Sequence, residues 1–215
     1  MYKPHKLKAC YFLGLAGIFG AAFFLFTMLS LDIIQSGTNP VIKTISDLVH
    51  GSYGWLQSLA FALVGFWFFV FVSRLYSTTV KRISSLTAAS FLGVTSIGFL
   101  LIAIFPSQIG ALEQTVQGII HNSVAGLIGS SFIIGCLAFA IHFRKDTRWK
   151  RYWTYTTLTV IACMAFALLW ALLPVELQLR GLGERLLLTS GFIWVAVISL
   201  RVIRLCRQPQ EIERQ

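Results

Sequence analysis

Six long apolar blocks, separated by short polar or charged stretches, set the pattern of this chain. They run Ala9–Leu31, Tyr53–Val72, Ile83–Phe105, Gly118–Ile141, Tyr152–Leu173 and Leu186–Ile203. Each is close to the roughly 20 residues that an α-helix needs to cross the hydrocarbon of a bilayer. The pattern predicts an all-α polytopic membrane protein, a bundle of six transmembrane helices forming a single domain over residues 1–215. A short basic lead, Tyr2–Lys8, precedes the first block. That block is much longer than the roughly 7–15-residue apolar core of a signal peptide, and no A-x-A-like site follows it, so a retained first helix is expected.

The polar stretches orient the bundle. Of the 18 lysines and arginines, only Lys43, Arg180 and Arg185 fall on one side of the predicted membrane. The rest lie in the N-terminal lead, the Arg74–Arg82 loop, the Arg144–Arg151 loop and the tail. Positive charge collects on the cytoplasmic side, so both termini are expected in the cytoplasm (N-in/C-in), with a bacterial inner membrane as the location. Aromatic residues at block ends agree: Tyr11, Tyr76, Tyr152 and Trp153 on the inner side, Tyr53, Trp55 and Trp170 on the outer. Trp67 and Trp194 are mid-span and read as core packing.

Composition changes the picture little. Apolar residues make up 56% and charged residues 12%, against about 25% charged in soluble domains. The net charge of +10 does not point to nucleic acid, because the cations are spread over short loops that set topology and face anionic lipid headgroups. The four cysteines, Cys10, Cys136, Cys163 and Cys206, form no CxxC pair and lie in no polar loop. Neither a disulfide framework nor a zinc knuckle is expected from them. No proline interrupts a block and no acid stands at a block's centre, which argues against the broken helices and midplane carboxylates of ion-coupled transport. Small residues predict close helix contacts, within this chain or to a protein partner or second copy: Ala16, Gly17, Gly20 and Ala21 in the first span, Gly126, Gly129 and Gly135 in the fourth. His5 and His142 are expected to be solvated and away from carboxylates.

Candidate chemistry gathers on the outer side. Ser46–Trp55 holds the densest polar cluster, and Asp47 and His50 share a face if that entry is helical. Glu113, Gln117 and His121 are spaced by four and would form one stripe if their helix starts early enough. Gln57, Gln117 and Asn122 lie in the outer turns of spans, where polar side chains usually face the bundle. With Asp32, Glu176, Arg180, Glu184 and Arg185 they suggest an outer-face polar pocket. Asp47, His50 and His121, with Glu113 or Glu184, offer nitrogen and oxygen ligands for a divalent metal such as zinc. Such a site would suit metal-assisted hydrolysis of a lipid or amide. Arg180 or Arg185 could instead clamp a phosphate or carboxylate headgroup. Asp47 also reads as a helix cap. Val49-His50-Gly51-Ser52 and Ile120-His121-Asn122-Ser123 echo each other, and a repeated hairpin would set the two histidines at equal depth.

Three segments in order carry a resemblance: Ile45-Ser46-Asp47 through Gly51-Ser52-Tyr53-Gly54-Trp55, then Phe105-Pro106 with His121 downstream, then Gly181-Leu182-Gly183-Glu184-Arg185. In these the chain resembles, over about Ala9–Arg204, a family of prokaryotic six-helix membrane proteins known only as domain of unknown function nine-nine-eight. The resemblance implies a six-span fold and a polar outer face, and no activity. It also leads one to expect an acid just after Phe-Pro, where Ser107-Gln108 stand, with Glu113 as the acid that could replace it. The expected function is binding of a lipid headgroup or small molecule by Asp47, His50, Gln57, Gln117, His121, Asn122, Glu184 and Arg185. The alternatives are the hydrolase and an accessory subunit of a membrane complex.

Overall fold

The computed structural model describes residues 11–35, 37, 39–172 and 179–212, with side chains as far as Cys206. Six α-helices follow in order: α1 (Ala16–Ile34), α2 (Gly54–Ser77), α3 (Ile83–Ile104), α4 (Val116–Lys145), α5 (Trp153–Leu172) and α6 (Arg180–Ile212). Three single-turn 3-10 helices, Ser46–His50, Gly110–Gln114 and Lys150–Tyr152, lie in the connections. Every described element is helical, and each of the six helices is long and apolar enough to cross a membrane. This is a multi-pass membrane protein.

The helices form an antiparallel ring. Each packs on its neighbour in sequence, and α6 closes the ring by packing on α1 and α2. Small residues let the backbones approach at several of these seams. An added Cβ at Gly17 would collide with Ser199 and Phe71, and one at Gly135 would lie 2.7 Å from Leu92. Gly126 and Gly129 differ from this expectation: a Cβ at either would meet nothing within 4 Å. They face no other described helix of this chain.

Two aromatic-rich cores fill the ring, one toward each end. Phe71, Phe139, Phe143, Trp149, Trp194 and Ile198 belong to the first, which also takes Val160 and Cys163's neighbour Cys136 from the α4–α5 seam. Phe24, Phe61, Phe99 and Phe192 belong to the second, with Leu48 from the connecting loop. No buried member of this second core comes from α5. That helix therefore adds a buried side chain to the first core and none to the second. Of the six spans α5 is the least buried, at 22% of its apolar window. Trp194 is core packing as its sequence position suggests, its Nε1 donating to Thr156 Oγ1 at 3.1 Å.

The last helix starts six residues before the apolar block that predicts it. Its first turns hold Glu184 and Arg185, which read as loop charges in sequence but find partners inside the fold. Cys136 and Cys163 are free and buried. Cys206 is disulfide-bonded, contrary to the expectation of no disulfide, and its partner lies outside the described residues. Closure of the ring explains why spacing gave no warning: α6 runs beside α1, with Ile203 against Gly14. Glu176, also expected at the polar face, lies outside the described residues, as do His5 and the N-terminal lysines.

Candidate functional site

The loop between α1 and α2 is locked to the start of α6. Leu182 donates its backbone N–H to Val41 O at 3.0 Å. Gly181 has no room for a Cβ because the carbonyls of Pro40 and Lys43 press on it. Arg185 meets Asp32 through two parallel hydrogen bonds, Nη2 to Oδ1 at 2.6 Å and Nε to Oδ2 at 3.0 Å, and also donates to Lys43 O. This fork-on-carboxylate geometry is the strong form of the ion pair. It commits Arg185 to the fold, so the guanidinium is not a free clamp for a headgroup. Arg180 is exposed.

Asp47 is likewise committed. Its Oδ2 accepts from Thr44 N–H at 2.9 Å while Thr44 Oγ1 accepts from Asp47 N–H at 3.3 Å. The reciprocal pair is the capping-box arrangement at the start of the 3-10 turn. Glu184 Oε2 accepts from Ile45 N–H at 2.7 Å. The first and third segments that carry the family resemblance are thus each other's partners.

The second segment is held by donors. His121, 3% exposed, donates from Nδ1 to Phe105 O at 2.8 Å, since a carbonyl can only accept. Gln117, one turn earlier on α4, donates to Pro106 O at 3.3 Å. The two side chains satisfy carbonyls left open where Pro106 ends α3. Ser107 donates to Ser46 O at 2.7 Å and so accepts from His50 Nε2 at 3.2 Å, leaving His50 Nδ1 as an acceptor. His50 is exposed and His121 buried, so the sequence echo does not set them in equivalent surroundings. Glu113 stands in its own 3-10 turn outside α4, exposed, which breaks the expected stripe. Asn122 is exposed on α4 and does not face the bundle. Gln57 does face it: the residue is 0% exposed and neither amide atom has a partner among the described residues.

His121 lies within electrostatic reach of Asp47 and His50, yet the metal set does not assemble. Among the described residues no three of His, Cys, Asp and Glu come together in a group that could hold a metal ion. The side chains that would be ligands are spent on Thr44, Ser107 and Phe105.

A mainly apolar concave feature lies elsewhere, beside α5. A cavity of about 310 Å³ opens sideways between α4 and α5. Phe61, Phe99 and Phe132 line its wall, and the exposed Gly126, Ser130, Trp170 and Ala171 form its mouth. Gly129 lines it too, which accounts for the open space around these two glycines. Its lining is apolar except for Thr95, Ser130, Ser46 and Glu184. Thr95 bonds Ser131, and Ser130 bonds back to Gly126 O. Among the described lining residues, Ser46, Glu184 and the indole N–H of Trp170 keep polar atoms for an occupant. A separate, more polar depression is lined by His50, Trp55, Ser58, Pro106, Ser107 and Gln108.

At the opposite end of the bundle is a cluster that the sequence reading missed. Asp146, just past α4, is 3% exposed and accepts from the backbone N–H groups of Val80 and Arg148, each at 3.0 Å. Burial alone would raise its carboxyl, but these donors and the Arg148 guanidinium outweigh it and hold it below the usual carboxylate range. His142 is 0% exposed, 3.6 Å from Asp146 and 3.1 Å from Ser84 Oγ. It is neither solvated nor away from carboxylates, contrary to expectation. The i, i+4 spacing of His142 and Asp146 was the available signal. Trp149 Nε1 donates to Thr78 O, so the cluster ties the α2–α3 and α4–α5 connections together.

A family model described as "Protein of unknown function (DUF998)" matches residues 18–201. The chain belongs to that family. No curated protein and no solved structure matches it significantly. For this DUF998 member the three resemblance segments form a structural lock at one end of the bundle, with the lateral cleft beside it.

Proposed function

We propose that this protein binds a membrane amphiphile, taking the apolar chain sideways into the cleft between α4 and α5. The end that carries Asp47 would face the outer side and the end that carries Asp146 the cytoplasm, as the distribution of Lys and Arg favours. The observation that carries the reading is the pair Gly126 and Gly129. Both line an apolar cleft, and both leave it open where an added Cβ would meet nothing within 4 Å. In helices that pack only on each other, small residues meet a partner. An apolar pocket with few polar groups is the usual form of a small-molecule site.

The test is to fill the cleft. Gly129→Phe should fold as the wild type does, because its Cβ has free space, and should lose co-purifying lipid in native mass spectrometry. Wild-type lipid occupancy in a well-folded Gly129→Phe protein would overturn the reading.

A further inference from the structure

We propose that the occupant of this cleft carries a primary ammonium group, received by the free carboxylate oxygen of Glu184 and the hydroxyl of Ser46. The proposal rests on the amphiphile reading above and names the class of its ligand.

Glu184 Oε2 is bonded to Ile45 N–H, while Oε1 has no hydrogen bond among the described residues. The carboxylate lines an otherwise apolar cavity, where an uncompensated charge is costly and a paired one is not. The neighbouring Arg185 acts on it through space only, its guanidinium being held by Asp32 in a two-bond fork at 2.6 and 3.0 Å. The other acid nearby, Asp47, adds negative charge. One carboxyl oxygen of Glu184 thus has no described hydrogen-bond partner, and the nearby guanidinium is already engaged. Ser46 stands beside it: its carbonyl accepts from Ser107, and its side-chain oxygen makes no hydrogen bond to a described residue. An ammonium has three N–H donors and no acceptor, which suits a carboxylate oxygen and a hydroxyl oxygen together. Trp170 supports the same choice. Its Cβ lies 3.2 Å from the position a Cβ would take at Gly183, the residue before Glu184, and it stands at the cleft mouth. An indole face lining the same cleft favours a cation over an anion. A phosphate or carboxylate head would set a like charge against the Glu184 carboxylate.

The experiment uses three photoreactive probes with the same diazirine-bearing alkyl chain and an amine, a carboxylate or a hydroxyl head. The full-length protein is held in phosphatidylcholine nanodiscs, and labelling of α4 and α5 peptides is read by mass spectrometry. Each probe is compared with its own labelling of Gly129→Phe, so that differences in membrane partition cancel. The amine probe should label wild type about tenfold more than the carboxylate probe, as a charge-assisted hydrogen bond implies. Glu184→Gln keeps an acceptor for Ile45 N–H and should erase that preference while leaving chain-dependent labelling. Ser46→Ala should reduce it partly. Equal labelling by all three probes, still abolished by Gly129→Phe, would overturn the ammonium assignment and leave the amphiphile reading standing. Labelling unaffected by Gly129→Phe would overturn both.

Discussion

Gln57 brings two amide atoms into the bundle, and neither has a partner among the described residues. Leaving a buried polar group unpaired costs about 1–3 kcal/mol. Gln57→Met, close in size and free of polar atoms, should therefore raise the stability of the ligand-free protein by about that amount, read as a higher midpoint in thermal unfolding. A lower midpoint would mean that the amide has a partner in the purified protein. Asp146 behaves in the opposite sense, since all of its acceptor capacity is used. Its folded pKa is depressed, so its contribution to stability is present above the unfolded carboxylate value of about 3.9 and is lost as pH falls through the lower folded value. Unfolding monitored from neutral pH down to acid should show this loss only below about pH 4. In Asp146→Asn the same segment of the curve should be flatter, with stability at neutral pH already reduced. These residue-scale facts were partly legible in sequence. The capping role of Asp47 could be read from its place at a helix start. The burial of His142 could not, because nothing local reveals that the Val80 and Asp146 loops meet.

At the scale of elements, the helices sort by what their glycines touch. Gly17 and Gly135 sit under side chains of neighbouring helices, Phe71 and Leu92. Leucine at either position must force the helices apart, and overpacking of this kind costs about 1–3 kcal/mol or more. Leucine at Gly129 should cost far less, since no neighbour is displaced. Melting temperatures of the three variants, purified in one detergent, check the ordering. Sequence periodicity could not have made this distinction, because a glycine that admits a helix and a glycine that admits a ligand look alike. The difference arises where α4 borders the cleft beside α5 and not a packed seam. Element existence was legible throughout, since six apolar blocks became six helices with ends shifted by a few residues. The early start of α6 was not, because Glu184 and Arg185 look like loop charges until Ile45 and Asp32 are seen opposite them.

At the scale of the whole molecule, the ring has one end rich in capped loops and another bearing nearly all the cations. The prediction is that both termini lie on the cytoplasmic side. A reporter active only in the periplasm should be silent when fused after Arg214 and active when inserted near Gly110, an exposed turn with φ of 63°. The reverse result would invert the bundle and place the Glu184 end of the cleft toward the cytoplasm. Fold class and span number were legible at this scale because lipid imposes length and hydropathy directly. The candidate site was legible only as a neighbourhood. The sequence reading gathered the polar residues around a pocket, whereas most of them bond to the backbone, and the cavity beside them is lined mainly by residues with no polar signature.

The pairing of Asp32 with Arg185 spans 153 positions of the chain. During synthesis the acid at the end of the first helix is made early, and its guanidinium arrives only with the sixth. Until then a carboxylate waits at the membrane boundary without that counter-charge, in a ring that cannot close. A copy that ends before α6 would therefore lack both this long-range ion pair and the helix that closes the ring.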